Sequence, residues 1–220
     1  MIINTAASIS FNDPIREALQ INYFGALRIL DLAHECKHLA ALHHVSTSYV
    51  NSNMPRGVSV SEEVHPFPEK NWEKLIDDIT KMDPQTLDRE EPLILKRTGF
   101  PNTYTMTKNL AEQALKKNRR PDMPLIVSRP AIITTTVKYP FPGWTDSLAA
   151  AGGVVQTIGL GVMRHIGGYK DVTSALVPCD YVVSAILVGT AIGAQKPELK
   201  LYHVCPSEIH PKIMQKDVFL

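Results

Sequence analysis

Cysteine is scarce in this chain. There are three, Cys36, Cys179 and Cys205, an odd number with no two in CxxC spacing. That argues against a disulfide framework and a thiolate metal knuckle, and fits free thiols in a reducing compartment. An excess of one charge is also missing. Twenty-three basic residues face twenty-two acidic ones, for a net charge of +1, so nothing marks a nucleic-acid partner. The longest basic run, "KKNRR" at 116–120, falls where a helix would end before Pro121, and cations suit that end of the dipole. No HExxH occurs. His43 and His44 are adjacent, so on a strand they point to opposite faces and cannot share a metal; no metal site is expected. Long apolar runs are lacking too. "SLAAAGGVVQTIGLGVM" is glycine-rich, bounded by Asp146 and Arg164, and short of the ~20 residues a spanning helix needs. Val172 to Ile192 is interrupted by Pro178 and Asp180. The chain opens on "MIINTAAS" without a basic stretch, so no signal peptide is expected.

What is present is a globular composition. With 220 residues, 44% of them hydrophobic, the chain can bury a real core as one large domain. "MIINTAA" reads as a short buried strand entering a turn of small residues. "DPIREALQINYFGALRILDLAHECK" is helical: Asp13 can cap, Pro14 suits the first turn, and Ala18, Leu19, Asn22, Gly25, Ala26, Ile29, Leu30 and Ala33 recur at helical spacing. "LAALHHVSTSYV" is the next strand and ends in hydroxyls. This β-α-β order implies a parallel sheet. Residues 51–100 carry prolines at 55, 66, 68, 84 and 92 and many charges. They read as a long excursion with one short helix, "NWEKLIDDITKMD". "NTYTMTKNLAEQALKK" is a strong helix capped by Asn102 or Thr103. "MPLIVSRPAII" is a strand stopped by Pro130. A helix from about Asp180 and a strand over "LKLYHVCPS" close the pattern, a doubly wound α/β fold without internal repeats.

Tyr104 and Lys108 stand four apart, on one helix face. An ammonium beside a phenol favours the phenolate and is expected to lower the tyrosine from ~10 toward neutrality. Such a tyrosine can trade a proton with a carbonyl oxygen under reduction. The bare YxxxK spacing is common on ordinary helices, so its context matters. "HVSTSYV" ends a strand at the carboxyl edge where ligands of parallel sheets bind. A hydroxyl there can bond a substrate carbonyl. Asn22 lies in an apolar stripe and must have a partner; a proton-relay water is one candidate. "NTAA" lets a cofactor approach the backbone, and "SRPAII" offers a further strand end.

The set "NTAA", "INYFGALRILDLA", "HVSTSYVN", "PNTYTMTKNLAE", "SRPAII", "YPFPGW" and "LVPCDYVVSAILV" resembles the extended short-chain dehydrogenases/reductases, and more narrowly the fatty acyl-CoA reductases. The resemblance covers about residues 1–205. It implies Tyr104 as acid/base, Lys108 as the lysine that holds the nicotinamide ribose and tunes the tyrosine, Thr47 as the carbonyl-orienting hydroxyl with Ser46 and Ser48 as competing neighbours, and Asn22 as the relay asparagine. It places Ala6, Ala7 and Ser46 against the cofactor, with Pro130, Ile132 and Ile133 near the nicotinamide. It implies reduction of a long-chain fatty acyl-CoA to a primary alcohol with NADPH, NADH remaining open. The acyl chain is expected at 51–100 and about 140–170, gaining ~0.8 kcal/mol per buried methylene. An intracellular, cytosol-facing setting is implied, with a peroxisomal or endoplasmic-reticulum membrane for the longer parent.

The sequence is expected to depart from the family at both ends, the carboxy-terminal domain of family members, often with a membrane-anchoring end, being expected to be missing as well. The glycine-rich GxxGxxG that would open the first strand-helix turn and hold a pyrophosphate is absent from its amino end. "MIINTAA" matches a later strand, so the chain is expected to be a fragment lacking at least one βαβ unit, roughly 30 residues. Two alternatives follow: a non-catalytic binding or regulatory form, and another extended short-chain enzyme such as an epimerase.

Overall fold

A computed structural model describes residues 1–149, 151–165, 173–205 and 212–213. Its centre is a four-stranded parallel sheet in the order β1 (Ile2–Asn4), β2 (Leu42–Val45), β3 (Leu125–Pro130) and β7 (Leu199–Val204). The paired register sets Asn4 against His44, Val45 against Ser128 and Pro130 against Val204. All four strands therefore end on one edge. Alternation sends Leu42, Leu125, Val127 and Leu201 to one face, where they form a core with Ala26, Leu30, Ala33, Ala111 and Leu115. Two small parallel strands, β4 (Ile132–Thr134) and β6 (Leu176–Pro178), pair beyond β3. β5 (Thr173–Ser174) pairs antiparallel with β8 (Lys212–Ile213).

The helix expected over 13–37 is three segments. α1 (Ile15–Ala18) runs into a π-helical stretch, Leu19–Phe24, and then α2 (Gly25–Glu35). Asp13 does not cap it, contrary to expectation. Its carboxylate meets the Ser8 hydroxyl, and the free amide of Ile15 donates instead to Glu91 Oε2 at 2.7 Å. Thr47 caps a 3₁₀ turn, Ser48–Asn51, directly after β2.

The excursion 51–100 is more regular than its prolines suggested. It holds the expected helix, α3 (Trp72–Lys81), and a second, α4 (Pro84–Thr98), where irregular chain was expected. Pro84 occupies the first turn, where its missing N–H costs nothing. Asp83 accepts from Thr86 N at 3.0 Å, and Gly99, at φ +78°, ends the helix. Pro92 sits inside α4, and burial of Leu87 and Ile94 offsets the hydrogen bond it forfeits. Phe67, Leu75, Ile76 and Ile79 join these residues in a core shared with Ile15, Leu19, Met106 and Leu110.

α5 (Thr103–Asn118) lies between this layer and the sheet. Asn102 caps it, accepting from Thr105 N at 2.9 Å. The "KKNRR" run ends the helix as expected: Arg119 and Arg120 donate to carbonyls, among them Met123 O and His34 O. On the opposite face of the sheet α7 (Cys179–Gly193) packs closely through glycines; a Cβ on Gly193 would stand 2.4 Å from Ile126 Cγ1. α6 (Ala151–Gly159) follows "YPFPGW". Residues 150 and 166–170 of the expected acyl region lie outside the described residues.

His43 and His44 face opposite sides of the sheet. Thr190 donates its only hydroxyl proton to Ile186 O at 2.6 Å, so it accepts from His43 Nδ1–H at 2.6 Å. His43 Nε2 must then accept from the Ser128 hydroxyl at 2.7 Å. Burial holds His43 neutral and lowers its pKa to about 4. These bonds make His43 a structural clamp between β2, β3 and α7.

Candidate active site

The carboxyl edge of the sheet collects predicted residues from three strand ends, with a fourth end alongside. Thr5–Ala7 follow β1, Ser46 and Thr47 follow β2, Ala131–Ile133 follow β3, and Cys205 follows β7. α5 brings Tyr104 and Lys108 to the same edge. Lys108 is buried, and its ammonium donates to Val45 O, the last carbonyl of β2, at 2.7 Å. Burial lowers its pKa to about 8, opposed by the carboxylate of Glu112 one turn further on.

Tyr104 is governed by a different balance from the one expected of YxxxK. Burial raises its pKa, and the interaction with the Thr47 side chain pulls it back. The lysine, anchored on Val45 O, is not what sets the phenol here. The protein alone thus keeps Tyr104 protonated, as a proton donor needs. Among the three clustered hydroxyls, Thr47 is the one coupled to the phenol. Ser46 Oγ is buried without a partner, and Ser48 is half-buried at the start of the 3₁₀ turn.

Asn22 has two protein partners. Its Oδ1 accepts from Ser8 N at 2.9 Å, and its Nδ2 donates to Thr107 Oγ1 at 3.1 Å. The π-helical turn aims the amide this way, tying the loop after β1 to α5. Of the expected cofactor contacts, Ala6 is exposed, Ala7 half-buried, Pro130 buried, Ile132 half-buried and Ile133 exposed.

Behind these residues lies a buried ion pair that was not among the expected site residues. Glu112 and Arg129 are each 1% exposed. Arg129 Nε and Nη2 reach the two oxygens of Glu112 at 3.0 and 2.6 Å. Nη2 also donates to Glu63 O at 2.9 Å, and Nη1 to His203 Nε2 at 3.2 Å. The spacing of four from Lys108 marks Glu112 as a charge facing the site, but nothing local marks Arg129 as its partner. "YPFPGW" contributes Tyr139, Pro140 and Trp144 to an open cleft of about 370 Å³, shared with Cys179, Asp180 and Val183. Asp180 fixes that loop by accepting from the amides of Val137, Lys138 and Tyr139.

This edge fits the nicotinamide end of a dinucleotide. Ser46 offers an unpaired buried hydroxyl, Lys108 has donors beyond the one Val45 takes, and Ala6 and Ala7 leave backbone open to close approach. Among the described residues no group of His, Cys, Asp and Glu is arranged to hold a metal ion, and no helix is long and apolar enough to cross a membrane.

A parallel sheet with Thr, Tyr and Lys at its carboxyl edge defines the class: the extended short-chain dehydrogenase/reductase fold. A solved structure of RMD from Pseudomonas aeruginosa, complexed with NADPH, superimposes with a TM-score of 0.59 at 18% identity, over 97% of this chain and 61% of that one. The family model described as "Male sterility protein", an NAD-binding domain, matches residues 1–186. The chain is 30% identical to human fatty acyl-CoA reductase 2 over 96% of its own length, and 35% identical to the Drosophila melanogaster fatty acyl-CoA reductase wat over 85%. It belongs to this male sterility family of fatty acyl-CoA reductases, with a nicotinamide cofactor. It spans 40% and 35% of the length of those two relatives.

Proposed function

We propose that this chain carries the Thr47–Tyr104–Lys108 site of a reductase that converts a long-chain fatty acyl-CoA to a primary alcohol with NADPH. The observation that carries the proposal is the convergence of these three side chains on one sheet edge, in a chain of this family. A reduced nicotinamide, when bound, supplies two electrons and a hydrogen to the carbonyl carbon in each of two rounds. In the first round the carbon–sulfur bond of the tetrahedral adduct breaks, the oxygen gives up its proton as the aldehyde forms, and the coenzyme sulfur takes that proton and leaves as a thiol. In the second the aldehyde oxygen becomes the alcohol hydroxyl. Thr47 orients the carbonyl oxygen. Tyr104, held protonated by burial, gives that oxygen its proton. Lys108, pinned by Val45 O and charged below a pKa of about 8, supplies positive charge that stabilises the phenolate once Tyr104 has given up its proton. Tyr104→Phe in the protein tests this directly. Alcohol formation from hexadecanoyl-CoA should fall by roughly 10²–10⁴-fold, and an unchanged alcohol yield would refute the assignment. Parallel titrations with NADPH and NADH test the cofactor preference. An intracellular, cytosol-facing setting is part of the proposal and accords with three free thiols; imaging the tagged protein checks it.

A further inference from the structure

Phe11 is a large apolar side chain left 60% exposed. It belongs to none of the hydrophobic clusters of the core. Its ring lies against Tyr104 instead, with centroids 5.5 Å apart and planes inclined at 42°. The loop that carries it is tied down on both sides. Ser8 N donates to Asn22 Oδ1 at 2.9 Å, and the Ser8 hydroxyl meets the Asp13 carboxylate. Thr103, at the start of α5, donates its hydroxyl to Asp13 O at 2.8 Å. Asn22 in turn reaches α5 through Thr107. The same helix that bears Tyr104 therefore holds both ends of the Phe11 loop, so the two rings keep their relation. Ile9, 61% exposed, stands two residues before Phe11 on the same loop. A fixed loop that exposes two apolar side chains, one of them packed beside a proton-donating phenol, adds nothing to the core and fits an apolar ligand segment.

We propose that Phe11 is a substrate-positioning residue: its ring walls one side of Tyr104 and packs against the acyl segment next to the reacting carbonyl. This rests on Tyr104 being the acid of the reductase proposed above. Two consequences separate it from a loop that is only structural. Removing the ring weakens the hold on the acyl part of the substrate and not on its coenzyme part. It also opens the phenol to water, so the burial that raises the Tyr104 pKa is relaxed.

The test is equilibrium binding to the protein without reduced cofactor, so that no turnover occurs. The ligands are hexadecanoyl-CoA and free coenzyme A, and the variants are Phe11→Ala, Phe11→Leu and Tyr104→Phe. Phe11→Ala should weaken hexadecanoyl-CoA about tenfold and leave free coenzyme A within twofold. Phe11→Leu, which restores apolar bulk, should recover most of the loss. The ultraviolet titration of the Tyr104 phenol, taken as the difference from Tyr104→Phe, should move to lower pH in Phe11→Ala. Equal losses for both ligands, or no loss for either, would overturn the proposal, as would an unmoved phenol titration. If Tyr104→Phe keeps its alcohol yield while Phe11→Ala still loses acyl-selective binding, the catalytic assignment fails and the wall stands.

Discussion

Replacing Glu112 with alanine would leave Arg129 charged, 1% exposed and without its two shortest-range anionic contacts. Glu63 O and His203 Nε2 remain as its partners, and neither carries charge to balance the guanidinium. Breaking one side of a buried ion pair costs about 3–5 kcal/mol. With a urea slope of about 2–3 kcal/mol/M, the unfolding midpoint should fall by about 1–2.5 M. The double variant Glu112→Met/Arg129→Met removes both charges and keeps the volume. It should recover most of the loss, because two desolvated ions replaced by packed side chains are close to neutral in stability. The assay is urea unfolding followed by circular dichroism for wild type, both single variants and the double. A midpoint shift in Glu112→Ala below about 0.3 M at unchanged slope would refute the reasoning, as would a double variant weaker than either single one. A second readout ties the pair to the site. Glu112 is the group that holds the Lys108 pKa up against burial, so Lys108 in Glu112→Gln should titrate still lower than about 8.

Acid should destabilise the protein through His43. Its folded pKa of about 4 lies below the unfolded value of 6.5, so its contribution is present above about pH 6.5 and is lost as pH falls toward 4. His44, also driven down by burial, acts in the same direction, and His43→Gln should flatten part of the fall in urea midpoint between pH 7 and 4.5. Gly193→Ala sets helix propensity, worth up to about 1 kcal/mol, against overpacking on Ile126, about 1–3 kcal/mol. The clash at 2.4 Å should win, with a thermal midpoint lowered by a few degrees. Asn102→Ala removes the cap of α5 and should cost about 1 kcal/mol by the same unfolding assay.

Much of this fold is legible in the residues. The hydroxyl-ended run "LAALHHVSTSYV", the β-rich run "MPLIVSRPAII" with its stop at Pro130, and the Asn102 cap place β2, β3 and α5 where the structure has them. The YxxxK spacing and the hydroxyl-ended strand placed Thr47, Tyr104 and Lys108 together. What escaped depends on partners distant in sequence. The amide of Ile15 is taken by Glu91, seventy-six residues away, so no local pattern could reject Asp13 as the cap. α4 was hidden by Pro84 and Pro92, read as punctuation although one sits in a first turn and the other is carried by burial. The state of Tyr104 follows from how deeply it is packed and from Thr47, and burial cannot be read from a spacing of four. Arg129 read only as part of a strand end; its meaning comes from Glu112, seventeen residues earlier.

The wide turn at Leu19–Phe24 also solves a problem of phase. Up to and through it, Ile15, Leu19 and Tyr23 pack toward the core of the 51–100 layer. After it, Ala26, Leu30 and Ala33 pack toward the sheet. One continuous segment thus serves two cores, and the extra residue in the turn rotates the second half onto its own target. Asn22 sits at the point of rotation, held by the loop after β1 and by α5. Deleting one residue there would not merely shorten a helix. It would close the widened turn into ordinary α-helix, leaving the two faces near their present phase but taking from Asn22 the turn that aims it at the loop after β1 and at α5.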